Sequence, residues 1–138
     1  MPNLDLSKII LAAEKIKQGE VVIFPTETVY GIGDDATKSS ACQKIFTIKN
    51  RPENNPLIVH VSSLNQAREI GEFNKIAEIL AKALWPGPLT MILPLKLGSK
   101  ISNTVTAVLN TVGIRWPDHP IAEKLIELSQ VPIAAPSA

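Results

Sequence analysis

The apolar positions of this chain switch repeatedly between a helical and a strand period, and the switching lays out a fold before any single residue is considered. Between Ser7 and Gly19, Ile9, Ile10, Ala12, Ala13 and Ile16 recur at helical spacing, with Ser7 placed to cap the start and Gly19 to stop the end. Val21 to Phe24 is a short strand, followed by the polar loop Pro25-Thr26-Glu27-Thr28 and a glycine turn, Gly31-Ile32-Gly33. A helix is predicted from Ser39 to Lys49 with Ala41, Ile45, Phe46 and Ile48 turned inward, and Pro52 ends it by biasing Arg51 away from helical backbone. Leu57 to Val61 reads as a mostly buried strand, and Leu64 to Ile70 as a short helix capped by Ser63. Asn74 to Trp85 reads as a longer helix with Ile76, Ile79, Leu80 and Leu84 on one face. After a sharp break at Trp85-Pro86-Gly87-Pro88 come a strand from Leu89 to Leu93, a polar loop from Lys96 to Asn103 and a strand from Val112 to Trp116. A helix from Ile121 to Leu128, with Asp118 as its expected cap, and a last strand at Ile133 to Ala135 complete the series.

Strands alternating with helices predict an α/β fold: one domain, residues 1–138, built on a twisted open sheet of mixed parallel and antiparallel strands flanked by helices. No repeat, low-complexity tract or linker divides the chain. Proline punctuates the pattern. Pro25, Pro94, Pro117 and Pro136 each follow an apolar run, and a residue without an amide proton marks a strand end. In open α/β sheets ligands bind beyond the carboxyl ends of strands, where these loops gather Thr26, Thr28, Arg115, Asp118 and Ser137.

Composition narrows the function classes. Over 138 residues, 14 Lys and Arg stand against 13 Asp and Glu, a net charge of +1, so the broad basic excess of a nucleic-acid-coating protein is missing. Hydrophobic residues make up 45% of the chain, enough to fill a core, yet no stretch is apolar for long enough to span a bilayer. The single Cys42 cannot form an internal disulfide, and no Cys/His set has zinc-site spacing, so no metal site is expected. Met1 to Ile10 lacks the apolar core of a secretory signal, and the expected location is cytoplasmic.

Four groups of residues can carry chemistry. Lys49, Arg51 and Asn55 lie in a loop braced by Pro52 and Pro56, where two cations beside amides suit a polyphosphate; Lys49 equally complements the end of its helix. Thr26, Glu27, Thr28 and Tyr30 precede two glycines and either orient a polar substrate or form a capped turn with Tyr30 in the core. His60 falls on the strand face opposite Leu57, Val59 and Val61, as a core histidine or a pocket wall. Arg115, embedded in Val112-Gly113-Ile114-Arg115-Trp116, meets either an anionic ligand or a structural acid.

Taken in order, the strings Pro25-Thr26-Glu27-Thr28-Val29-Tyr30-Gly31-Ile32-Gly33, Lys49-Asn50-Arg51-Pro52, Asn55-Pro56-Leu57-Ile58-Val59-His60-Val61, Trp85-Pro86-Gly87-Pro88-Leu89-Thr90, Gly113-Ile114-Arg115-Trp116-Pro117 and Ala135-Pro136-Ser137-Ala138 resemble the YrdC/Sua5 family of threonylcarbamoyl-AMP synthases. The resemblance implies a YrdC-like fold and a nucleotidyltransferase joining L-threonine, bicarbonate or CO2, and ATP into L-threonylcarbamoyl-AMP with release of pyrophosphate, Mg²⁺ accompanying the ATP. The product would feed the N6-threonylcarbamoyl modification of adenosine at position 37 of tRNA, with the transfer done by partner proteins. By resemblance, Thr28, His60, Arg115 and Ala135 contact threonine; Arg51, Asn55, Thr111 and Ser137 contact ATP; Lys49 and Arg51 act on the transferring phosphate. Family members continue beyond the string matching Pro136-Ser137-Ala138, so part of the family domain is expected to be absent, with Ile133 to Ala135 lacking a neighbour, the nucleotide site incompletely closed, stability reduced and turnover weak or lost. A nucleotide- or RNA-binding module of the same fold stays open as the alternative, against which the near-neutral charge counts.

Overall fold

The computed structural model describes residues 5–138; the part of the amino-terminal reading that falls on residues 1–4 lies outside them. The order of elements is α1 (Leu6–Lys17), β1 (Val22–Phe24), β2 (Gly31–Asp35), α2 (Ser39–Lys49), β3 (Ile58–His60), α3 (Leu64–Ile70), α4 (Lys75–Leu84), β4 (Met91–Pro94), α5 (Asn103–Thr106), β5 (Thr111–Arg115), α6 (Pro120–Ser129) and β6 (Ile133–Ala135). The strands form one sheet in the order β1-β2-β6-β3-β5-β4. Only β3 and β5 run parallel, while the other neighbours are antiparallel, which is the mixed open sheet the periodicity implied.

Local chemistry explains most element ends. Asp5 and Ser63 cap α1 and α3 by accepting the amides of Lys8 and Gln66, and Asn74 does the same for α4 at Ala77. The cap of α6 is His119, whose side chain accepts the Ile121 amide, rather than Asp118. Its neighbour Pro120 takes the first helical position, where a missing N–H costs nothing. Two lysines of the α2 region reach back to the end of α1: Lys38 Nζ donates to the Lys17 carbonyl and Lys44 Nζ to that of Gly19, both at 2.9 Å. These cations meet the negative end of the α1 dipole and tie the two helices together.

The two faces of the sheet have separate cores. On one, Cys42, Ile45 and Phe46 of α2, Ala67 and Ile70 of α3, and Ala77 and Ala81 of α4 pack on Leu57, Val59, Val61, Met91, Leu93, Val112 and Ile114. On the other, Ile9, Ala13 and Ile16 of α1 and Ala122, Leu125 and Ile126 of α6 pack on Phe24, Ile133 and Ala135. The expected inward position of Ile48 is wrong, since that side chain is exposed. Ile76, Ile79, Leu80 and Leu84 do share a face of α4, but the face looks outward, with Ile76 69% exposed, because small Ala77 and Ala81 are what the close helix-to-sheet contact accepts. A single helical turn, α5, rises from the end of the expected polar loop, capped by Ser102.

Two further expectations are corrected. Ile133 to Ala135 does not lack neighbours: β6 is hydrogen-bonded to β2 on one edge and β3 on the other. Gly31-Ile32-Gly33 is no turn but the buried start of β2. The glycine at Gly33 answers to packing, because a Cβ there would stand 2.6 Å from Ile133 Cγ2, 2.9 Å from Phe24 Cε1 and 3.1 Å from the Ala134 carbonyl. Gly33→Ala is expected to cost about 2 kcal/mol in chemical denaturation, the scale of overpacking a closed core.

Asp34, the next residue, is fully buried on the α2 side with Oδ1 bonded to the Asp35 amide and Oδ2 without a partner among the described residues. Burial pushes its pKa up to about 6. A carboxyl held above its unfolded value near 3.8 adds stability below about pH 4 that is lost as pH rises through about 6. Denaturation midpoints compared for wild type and Asp34→Asn between pH 4 and 8 should diverge, the variant gaining relative to wild type across that window. Parallel curves would show that the carboxyl ionises without penalty.

Candidate active site

Alternation along the strands assigns the site residues to one surface. His60 and Ile58 of β3, Thr111, Gly113 and Arg115 of β5, and Ala135 of β6 project to the same face as Phe24, opposite Val59, Ile114 and Ala134. α1 and α6 cover the β1-β2-β6 half of that face. The β3-β5-β4 half is open, with Thr111 exposed and Ile92 of β4 67% exposed. Register arranges the open half in rows: His60 lies level with Arg115 and Ile133, and Ile58 with Gly113 and Ala135. At about 3.3 Å per residue, Thr111 sits about 13 Å down the strand from Arg115.

At the Arg115 end the polar groups are tightly coupled. The guanidinium donates from Nε to the Gly87 carbonyl at 3.3 Å, from one terminal nitrogen to Thr28 Oγ1 at 3.2 Å, and from the other to Glu27 Oε1. Glu27 Oε2 in turn accepts the Asp118 amide at 2.7 Å. The Trp-Pro-Gly-Pro segment is laid along this end by the Gly87 amide, which donates to the Trp116 carbonyl at 2.9 Å. No side chain fits at Gly87, where a Cβ would be 2.4 Å from the Leu84 carbonyl. The loop carrying Glu27 and Thr28 is braced internally, Thr26 Oγ1 meeting the amide and carbonyl of Val29. It is thus a capped turn, but with Tyr30 exposed rather than in the core.

His60 is buried beside the pair, with the Phe24 ring edge-on at 6.0 Å. Its Nδ1 lies 3.1 Å from the Ile58 carbonyl, which can only accept, so Nδ1 carries the proton in that bond. Burial, then the positive charge of Arg115, pushes the imidazole pKa down to about 4. The ring is therefore neutral at physiological pH and works as a hydrogen-bonding wall rather than a cation.

The other end is arranged differently. Arg51 spends its guanidinium on its own loop, donating to the carbonyls of Asn55 at 3.3 Å and Pro56 at 2.7 Å. Those bonds fix the entry to β3, and burial lowers the guanidinium pKa without discharging it. The side chains of Lys49, Asn55, Thr111 and Ser137 have no hydrogen-bond or ion-pair partner among the described residues, and all four residues are exposed. Ser137 is bridged through its backbone to Gly31. Lys49, at the end of α2, is not brought into contact with Arg115 or His60.

The location differs from the expected one. Arg115 and His60 end parallel strands, but Ser137 follows β6, which runs the other way, so the residues do not gather beyond one set of strand ends. They lie across a face, and the Thr26 to Thr28 loop returns over that face to reach Arg115. A cavity of about 660 Å³ lined by Thr37, Gln66, Lys100 and Pro132 contains none of them. Sequence reasoning missed Glu27 as the partner of Arg115, having left the acid unnamed. A carboxylate between two threonines after a strand hints at a role, but nothing local pairs it with an arginine on β5.

Residues 14–138 match the Sua5_yciO_yrdC family model, described as telomere recombination. This chain belongs to that family. Among curated relatives, it is 50% identical over 132 residues to a threonylcarbamoyl-AMP synthase of Pyrococcus abyssi and, again over 132 residues, to one of Bacillus subtilis, in each case over 95% of this chain and 38% of the relative. The crystal structure of P. abyssi Sua5 complexed with L-threonine superposes with a TM-score of 0.94 at 47% identity, covering 99% of this chain and 40% of that one. The chain thus spans about two-fifths of the length of these Sua5 relatives.

Both halves of the Arg115–Glu27 pair are largely out of solvent, the side chains 11% and 22% exposed. Arg115→Ala, which strands the carboxylate, is expected to lower stability by about 2–3 kcal/mol in urea titration.

Proposed function

We propose that this chain binds L-threonine and ATP on the open face as an L-threonylcarbamoyl-AMP synthase. The observation that carries the reading is the Thr28–Arg115 bond with His60 level beside it at one end of that face, while Thr111 is exposed at the other and Arg51 is tied to the Asn55–Pro56 turn that leads into β3. Family membership and the likeness to a threonine-bound Sua5 support it.

Threonine offers a carboxylate, an amine and a hydroxyl. Arg115 takes an anionic end, while Thr28 and His60 take polar hydrogens, with the backbone around Ala135 beside them. The threonine ammonium gives up a proton and the free amine attacks CO2, which bicarbonate yields as it takes up a proton and loses water; the nitrogen sheds its second proton, and an oxygen of the resulting carbamate attacks the α-phosphorus of ATP in line with departing pyrophosphate. Negative charge grows on the phosphate oxygens, to be met by Lys49, Arg51 and the Mg²⁺ that ATP carries as its counter-ion. Proximity and exclusion of water from the labile carbamate supply the rest of the catalysis, with no covalent enzyme intermediate.

The product would pass to proteins that transfer the threonylcarbamoyl group to tRNA, in the cytoplasm. No helix of the described residues is long and apolar enough to cross a membrane.

Thermal unfolding with saturating threonine and ATP·Mg²⁺ should rise by about 5 °C or more, since ligands that bind only the folded state stabilise it by mass action. Pyrophosphate release in the same solution should depend on threonine and bicarbonate. Stabilisation by ATP with no release would favour a nucleotide-binding module. Arg51→Ala is expected to weaken ATP at least tenfold and leave threonine unchanged. Arg115→Lys keeps the charge but loses the fork, and should do the reverse. Equal losses of both ligands in both variants would refute the division.

A further inference from the structure

The pairing at the threonine end has a consequence for what that end can recognise. Arg115 is a buried cation whose charge is already answered by Glu27, and the neighbouring His60 is neutral, so this corner presents no net positive charge. A simple carboxylate would have to compete with Glu27 for a guanidinium that has been neutralised. The hydrogen-bonding capacity is nevertheless not exhausted. Of the five N–H groups of a guanidinium, three are engaged here, by Gly87, Thr28 and Glu27, which leaves two. Each oxygen of Glu27 accepts one bond, from Arg115 or from the Asp118 amide, and keeps a second lone pair. The carboxylate is also the more accessible half of the pair, 22% exposed against 11% for the guanidinium, and it adjoins the exposed Thr28.

We propose that Glu27 is a specificity-determining residue: with Arg115 it forms a neutral donor and acceptor pair that selects a zwitterionic α-amino acid, carboxylate on Arg115 and ammonium on Glu27, over an acid lacking the amine. The inference rests on the threonine reading of this site and goes beyond it, because the contacts assigned by resemblance supply no anionic partner for the ammonium group. Glu27 does this without a rigid wall of its own. Its position is set from outside the loop, by the β5 arginine and by the backbone of Asp118, so the amine-binding group is fixed in the same step that fixes the carboxylate-binding one.

The test compares L-threonine with 3-hydroxybutyrate, which keeps the carboxylate and a hydroxyl but has no amine. Affinities for both are measured by calorimetry on the full chain and on Glu27→Gln. The ratio of the two affinities is the readout, because it is independent of the fraction of variant that is folded. Wild type should prefer threonine at least tenfold. In Glu27→Gln the preference should fall to about threefold or less, with 3-hydroxybutyrate bound as well as before or better, since Arg115 is no longer neutralised. A ratio kept by the variant, or a uniform loss of both ligands, overturns the assignment while leaving the threonine site standing. A wild-type protein that binds neither compound overturns the threonine reading and this inference with it.

Discussion

The structure depends on the double pairing of β6. This strand of three residues, Ile133–Ala135, is hydrogen-bonded to β2 on one side and to β3 on the other, and so joins the hairpin of β1 and β2 to the parallel pair β3–β5. Without it the sheet would be two fragments. With it, Ile133 lies level with His60 and Arg115 on one row, and Ala135 with Ile58 and Gly113 on another. The tight approach explains why β2 carries Gly33 where Ile133 and Phe24 already occupy the space a side chain would need. Small residues at Ala134 and Ala135 serve the same closeness, since both are buried between layers.

The uneven covering of the sheet creates the site. α1 and α6 are both committed to the β1-β2-β6 half of one face, where their apolar stripes meet Phe24 and Ile133. No helix of the described residues covers the β3-β5-β4 half, where Ile58 and Ile92 project beside His60, Thr111, Gly113 and Arg115. A buried arginine at such a boundary needs compensation, which it receives from three directions at once: an acid, a hydroxyl and a backbone carbonyl. The same bonds carry the loop after β1 across the face, so electrostatic compensation and the placing of that loop are one event. At the far end the opposite choice has been made. Arg51 is tied to its own loop, and the side chains of Lys49, Asn55, Thr111 and Ser137 have no partner among the described residues.

Much of this was legible in the chain. The helices Ser39–Lys49 and Leu64–Ile70 and the strand Ile133–Ala135 fall where periodicity and capping place them, because those signals act within a few residues. His60 faces away from Val59, as strict alternation requires. The misreadings have a common origin. Gly31 and Gly33 look like a turn to any local rule, and only the neighbouring strand reveals that they make room for Phe24 and Ile133. The leucines and isoleucines of α4 look like a core face, yet Ala77 and Ala81 make the contact, because hydrophobicity alone does not say how close two layers must approach.

The sequence by itself determined the class of fold, a set of candidate polar groups, and a motif order sufficient to place the chain in its family. These are local or linear properties, written in spacing and residue type. What only the tertiary structure decided was which groups meet. Glu27 and Arg115 are 88 positions apart, and their pairing depends on β6 entering between β2 and β3. Whether Arg115 awaited an anion or was already neutralised could not be read from either residue, since a buried charge is defined by what folds against it. The arginine is both compensated and still able to donate, and that double condition belongs to the assembled sheet.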